Sequence, residues 1–247
     1  MSATVATPYR RALIVGAGPG LGASLARVFA REGAMQVAVA ARSPDDLQGL
    51  SGEIGAAVLA CDATDPVQVR ALFDEAERRL GGAPDVVVYN ASRRVRGAFI
   101  EVDATEVAAA VNVTAHGAFL VAQQAARRML ASGQGAILFT GASAGVKGFA
   151  RSAAFAMGKF ALRGLAQSLA RELSPQGIHV GHVVIDGSIA APAPAGAVSA
   201  AASGETGAHQ DARLDPDAIA RTYLHLLSQP RSAWSWEIEV RPWRETF

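Results

Sequence analysis

At 247 residues the chain has the length of one α/β domain with a large core. Its 23 Lys and Arg residues balance 22 Asp and Glu for a formal net charge of +1, and no basic block could displace counterions from nucleic acid, so nucleic acid is not an expected partner. The single cysteine, Cys61, cannot form an internal disulfide, and Met1 to Arg11 lacks the apolar centre of a secretory signal, so the expected location is cytoplasmic.

Short β-branched runs alternate with longer segments of helical period, the pattern of βαβ units around a parallel sheet buried on both faces. The predicted strands, in chain order, are Ala12 to Val15, Gln36 to Ala41, Ala56 to Ala60, Asp85 to Tyr89, Ala136 to Thr140, His179 to Ile185 and Trp236 to Val240. Ser43-Pro44-Asp45-Asp46 signals a helix start: an N-cap, a proline at the first helical position, then acids at the positive end of the helix dipole. Asp65-Pro66 and Asp215-Pro216 repeat that signal. After the sixth strand, Gly187 to Gly204 carries no charge, but it is built of Ala, Pro, Gly and Ser, and Pro192 and Pro194 oppose a continuous helix. Residues 187–212 are therefore expected to form a flexible loop, and no membrane partner is expected. With no repeat and no interdomain linker, residues 1–247 read as a single doubly wound Rossmann domain, a seven-stranded parallel sheet with helices on both faces.

Directly after the first strand stands Val15-Gly16-Ala17-Gly18-Pro19-Gly20-Leu21-Gly22, opening a helix through Leu25, Val28 and Phe29. A strand-to-helix turn without Cβ atoms lets a pyrophosphate approach backbone N–H groups and the helix dipole, which stabilise its charge. Gly16, Gly18, Gly20, Leu21 and Gly22 are therefore the expected dinucleotide cradle.

The glycine spacing resembles that of the short-chain dehydrogenase/reductase family, and later segments repeat the resemblance in order. Cys61-Asp62-Ala63-Thr64 resembles the segment that contacts adenine, Tyr89-Asn90-Ala91-Ser92 resembles the family's Asn-Asn-Ala-Gly, and Ile185-Asp186-Gly187-Ser188-Ile189 stands where the family has Pro-Gly-x-Ile. The resemblance implies cofactor contacts from Asp62, Ala63, Asn90, Ala91 and Ile189, and a structural and catalytic role for Asn112. Val15, Ser92 and Asp186 replace a frequent Thr, a Gly and a Pro, and none of these changes removes a phosphate-binding backbone group. From the residues alone, Asp62 also reads as a turn acid, Asn90 as a tie between two strand ends, and Cys61 as a core thiol.

At the end of the second strand an acid would hydrogen-bond the ribose 2′-OH of NAD, and an arginine would accommodate the 2′-phosphate of NADP. Ala41 stands in the acid's place and Arg42 follows, so NADP(H) is expected in preference to NAD(H).

The resemblance also implies a Tyr and a Lys four residues apart on one helical face, the ammonium holding the nicotinamide ribose and lowering the phenol's pKa. Lys159 matches the lysine, but Phe155 occupies the tyrosine position, and Tyr9, Tyr89 and Tyr223 are the only tyrosines. The serine that would hold the reacting oxygen aligns with Ala142; Ser143 is adjacent, but neighbours at a strand end point in different directions. Lys159, Asn112 and Ser143 are thus the candidate catalytic residues, with Phe155 and Ala142 as substituted positions lining the pocket. Lys159 itself, Ser143, Lys147, His116 or water near Asn112 could replace the phenol as proton donor. No metal site is expected.

Arg93, Arg94, Arg96, Lys147 and Arg151 follow strands at the carboxyl edge where such sheets bind ligands, which fits either an anionic small-molecule substrate or a solvated rim. The expected function is an NADP(H)-dependent oxidoreductase with an altered proton donor. The alternatives are a cofactor-binding sensor or partner protein without turnover, and a non-redox lyase or isomerase on the same scaffold. Small residues on the two long helices, among them Ala108, Ala109, Ala110, Ala154, Ala156, Gly158 and Gly164, together with the resemblance, imply a homo-oligomer, a tetramer or dimer.

Overall fold

Strands buried on both faces lose the polar alternation of a surface strand, and the runs VVVY and GAILFT are buried at every position. In the structure, a computed structural model describing residues 5–191 and 212–244, seven strands form one parallel sheet. They are β1 (Arg11–Val15), β2 (Gln36–Ala41), β3 (Ala57–Ala60), β4 (Val86–Tyr89), β5 (Gly135–Thr140), β6 (Ile178–Ile185) and β7 (Glu237–Val240). Their order is β3-β2-β1-β4-β5-β6-β7. All seven predicted strands are present; their carboxyl ends coincide with the prediction, and every start but that of β2 shifts by one residue. Asp85, expected at the start of β4, instead lies just before it, where its carboxylate accepts from the backbone N–H groups of Arg10 and Arg11 and fixes the entry to β1.

The helices are α1 (Leu21–Arg31), α2 (Gln48–Ile54), α3 (Pro66–Leu80), α4 (Ala104–Val111), α5 (Gly117–Ser132), α6 (Ala153–Leu173) and α7 (Pro216–Ser228). On one sheet face Leu25 and Phe29 of α1 meet Tyr223 and Leu224 of α7; on the other Leu72 and Phe73 of α3, Val121 and Met129 of α5 and Leu162 of α6 are buried. Asp65 and Asp215 cap α3 and α7 through their side chains, as their Asp-Pro sequences predict. Ser43 does not cap a helix: Asp45–Leu47 form a 3-10 turn, and α2 begins behind it without a side-chain cap.

Between α4 and α5 the helix loosens into one π turn, Asn112–His116. The Tyr89 hydroxyl donates to the Val113 carbonyl there, and Gly117 passes so close that a Cβ would lie 2.5 Å from the Tyr89 oxygen. A π turn inserts one residue into the helical ladder and so resets which side chains face inward.

The crossover from β1 leads to β2 on one side, and the crossover from β3 returns to set β4 on the other side of β1, so the carboxyl ends of β1 and β4 flank the point at which such sheets bind ligands. Val15 pairs with Tyr89, placing Gly16 and Asn90 side by side immediately beyond the sheet. Of the loop expected over 187–212, only residues 187–191 and 212 lie among the described residues. Its two described ends are tied together by Ala190 N–H to Leu214 O and Leu214 N–H to Ser188 O.

Candidate active site

The glycines after β1 are of two kinds. Gly16 has φ of 82°, and a Cβ there would lie 2.3 Å from the backbone nitrogen of Ala91; a Cβ on Gly22 would lie 2.7 Å from Ala17 Cα. These two are required by the chain's own packing. Gly18 and Gly20 face open space at the N-terminus of α1, and a Cβ on either would meet no other part of the protein. The Asn90 side chain donates to Gly16 O at 2.9 Å and ties this turn to the end of β4.

A cleft of about 370 Å³ opens beside the turn, lined by Gly16, Arg42, Ser43, Asp62, Ala63 and Asn90 among others. One carboxylate oxygen of Asp62 accepts from the Thr64 N–H and hydroxyl at 2.9 and 2.7 Å, and these bonds hold its carboxyl below the usual range. The Cys61 thiol also borders the cleft, but burial pushes its pKa up to about 11 and makes it a core group. Arg42 stands exposed on the cleft wall beside Ser43, and its charge reaches Asp62.

Asn90 and Ser92 also border a second cleft of about 450 Å³, which receives Phe155 and Lys159 from α6, Arg94 from the loop after β4, Ala142 from the loop after β5, and Ile189 beyond β6. On α6, Phe155, Lys159 and Arg163 succeed one another at helical spacing. Arg163 grips Glu237 of β7 with two 2.7 Å bonds, and Glu237 also bonds the buried His182 of β6 at 2.9 Å, which pins this helix face to the sheet. Lys159 is only 2% exposed and donates to the Thr140 carbonyl at 2.6 Å. Burial first, and then the positive charge of Arg94, lowers its pKa to about 7. The Phe155 ring lies beside it with no hydroxyl, 5.8 Å from the ammonium and 4.6 Å from the Arg94 guanidinium.

The other candidate residues fall outside this cluster. Asn112 is exposed on the π turn and its side-chain oxygen bonds His116 Nδ1 at 2.9 Å, and neither residue borders the cleft that holds Lys159. Thr114, which sequence reasoning passed over, is buried instead; its hydroxyl accepts from the Arg93 N–H, and its side chain would meet a Cβ on Gly158 of α6 at 2.9 Å. Ser143 heads a 3-10 turn, and Ala142 rather than Ser143 borders the cleft. Lys147 lies 3.6 Å from the buried carboxylate of Asp186, which also takes a 2.8 Å bond from Arg241. Asp186 thus joins the ends of β6 and β7 to the loop after β5. Arg93 is paired with Glu106. Among the described residues no cluster of His, Cys, Asp and Glu could hold a metal ion.

Residues 10–193, three quarters of the chain, match the short chain dehydrogenase family. The chain belongs to that family. Its architecture agrees with a short-chain dehydrogenase from Rhodopseudomonas palustris, 32% identical, covering 96% of this chain and all of that one with a TM-score of 0.77. A metagenomic short-chain oxidoreductase crystallised with NADP is 26% identical over 94% of this chain and 96% of its own, with a TM-score of 0.78. Among curated relatives, an uncharacterised oxidoreductase of Staphylococcus aureus is 27% identical over 94% of this chain and 96% of its own length. A 3-oxoacyl-acyl-carrier-protein reductase of Mycobacterium avium is 34% identical over 68% of this chain and 63% of its own. In this short-chain dehydrogenase the glycine turn, the cleft beside Asp62 and the buried α6 lysine lie at the carboxyl edge of the sheet.

Proposed function

We infer that this short-chain dehydrogenase is an NADP(H)-dependent oxidoreductase in which a residue other than a tyrosine supplies the proton. The observation that carries this reading is Lys159, buried against Thr140 O beside a Phe155 ring that has no hydroxyl, in the cleft that Asn90 and Ser92 share with the one beside the glycine turn. The open space at Gly18 and Gly20 fits a pyrophosphate, Asp62 and Ala63 border the adenosine end, and Arg42 with Ser43 fits a 2′-phosphate. Bound there, NADPH would supply a hydride.

Lys159 is the proton donor this reading favours. Lys147 is engaged by Asp186, Asn112 and His116 engage one another, and Ser143 does not border the cleft. Of the side chains that do border it, Arg94 cannot give up a proton near neutral pH, whereas a lysine with pKa near 7 can. Reduction of a carbonyl or an activated alkene would move the ammonium proton to the substrate as hydride arrives, leaving a neutral amine for solvent to reprotonate.

The continuous helix Ala104–Ser132 is long and apolar enough by composition to cross a membrane, yet Val121, Ala125 and Met129 lie against the sheet. Its outer side and that of α6 expose Phe119, Met157 and Phe160, and a Cβ on Gly164 would meet nothing. This reading assigns that surface to contacts between copies of the chain in a dimer or tetramer. Close approach of Gly158, by contrast, is explained within the chain by Thr114.

Deuteride transfer from 4-deuterated NADPH to a panel of ketones, aldehydes and enones tests the redox assignment. Label in the product supports it. Cofactor binding with no label in any product replaces it with a binding protein that does not turn over, the reading the Phe155 ring would then favour.

A further inference from the structure

We propose that the substrate carries a carboxylate or phosphate, held by Arg94 at the mouth of the inner cleft above Phe155. The proposal rests on the redox reading of this site and narrows its substrate class. Of the five cations that follow strands at the carboxyl edge, two face acidic partners away from the cleft, Arg93 paired with Glu106 and Lys147 3.6 Å from the Asp186 carboxylate that Arg241 also bonds. Arg94 alone of the five borders the cleft, with its guanidinium against the face of Phe155.

The charge around that ring is unbalanced. Arg94 and Lys159 both stand within 6 Å of the ring centre, at 4.6 and 5.8 Å, and no Asp or Glu is among the described residues lining the cleft. The repulsion is felt, since Arg94 contributes to the lowering of the Lys159 pKa. A phenol beside the ammonium could ionise and balance one of these charges, but a phenyl ring cannot. An anionic ligand would supply the balancing charge. A planar guanidinium presents two parallel N–H groups to a carboxylate or phosphate, and its seat on an aromatic face fixes the plane of that fork. The same field opposes iminium substrates, whose positive charge would approach two cations in a partly buried cleft.

The test uses matched acid and ester pairs, 2-oxobutyrate, acetoacetate and 4-oxopentanoate with their methyl esters, and NADPH oxidation by the natural protein, Arg94→Ala and Arg94→Lys. At least one free acid is expected to be reduced with kcat/KM at least about tenfold above its ester. Arg94→Ala should erase that preference, chiefly by raising KM, and Arg94→Lys should retain part of it. Turnover with acids and esters equally used, or Arg94→Ala slowing both alike, overturns the anion site and leaves the redox reading standing. If no pair is reduced, the redox reading fails for these compounds, and calorimetry of the same acids and esters with the NADPH-loaded protein decides the anion site separately. Selective binding of acids that is lost in Arg94→Ala supports it, and absence of such binding overturns it.

Discussion

Lys159 and Phe155 stand one turn apart on α6, the ammonium 5.8 Å from the centre of a ring that carries no hydroxyl. Phe155 is 8% exposed and faces the cleft, so one added oxygen would meet open volume rather than packed core. Phe155→Tyr is expected to leave the melting temperature nearly unchanged and to raise ketone reduction by at least about tenfold, below the 10² to 10⁴ of a fully positioned acid because Ala142 offers the carbonyl oxygen no hydrogen bond. Adding Ala142→Ser should raise it further. A slower Phe155→Tyr enzyme would show that the natural donor already works at full rate.

The lowered pKa of Lys159 makes both rate and stability depend on pH. If Lys159 is the acid in reduction, kcat/KM falls as pH rises above about 7, where the ammonium is lost. Stability moves the other way. From about 7 up to the ordinary lysine value of 10.5, the unfolded chain holds a proton that the folded chain has released, so folding gains with pH across that window. Lys159→Met removes the dependence. Its melting temperature should exceed that of the natural protein near pH 6 and lose that lead by pH 10, as followed by circular dichroism; parallel curves would show that burial does not depress this lysine.

Arg42 should decide between the two nicotinamide dinucleotides. A guanidinium hydrogen-bonded to a 2′-phosphate is worth about 1.5 to 3 kcal/mol, so Arg42→Ala should weaken NADPH binding roughly ten- to hundredfold while leaving NADH nearly unaffected. Calorimetry with both cofactors measures it, and equal affinities in the natural protein would remove Arg42 from the role.

Two glycines of the turn should behave differently. Gly16→Ala forces a Cβ to 2.3 Å from Ala91 N at φ of 82°, and should lower stability by on the order of 2 kcal/mol or more. Gly18→Ala meets nothing in the protein, so it should melt like the natural chain yet bind NADPH more weakly. Urea titration and cofactor binding on the two variants separate packing from ligand approach. Equal destabilisation by both would refute the distinction.

Exposed Met157 and Phe160 on α6 predict an oligomer that charge would disrupt. Light scattering of the natural protein at micromolar concentration should give a dimer or tetramer, and Phe160→Glu a smaller species. A monomer in the natural protein would return the apolar face to solvent.

Local chemistry determined much of this protein before any folding was considered. Period and β-branching located the seven strands, the glycines after β1 marked the tight turn into α1, and the four-residue spacing of Phe155 and Lys159 put them on one face, because each depends on backbone geometry within a turn or two. Tertiary structure decided the rest. The π turn at Asn112–His116 breaks the helical phase, with Asn112 at the surface and Thr114 inward, and the Tyr89 hydroxyl from a distant strand bonds the Val113 carbonyl within it. Likewise Arg93, Arg94 and Lys147 look alike as sequence, but Arg93 and Lys147 face Glu106 and Asp186 while Arg94 lies over Phe155. Whether a charge is spent on the fold or offered to a ligand depends on which partner the sheet brings within a few ångströms, and that pairing is not written in neighbouring residues.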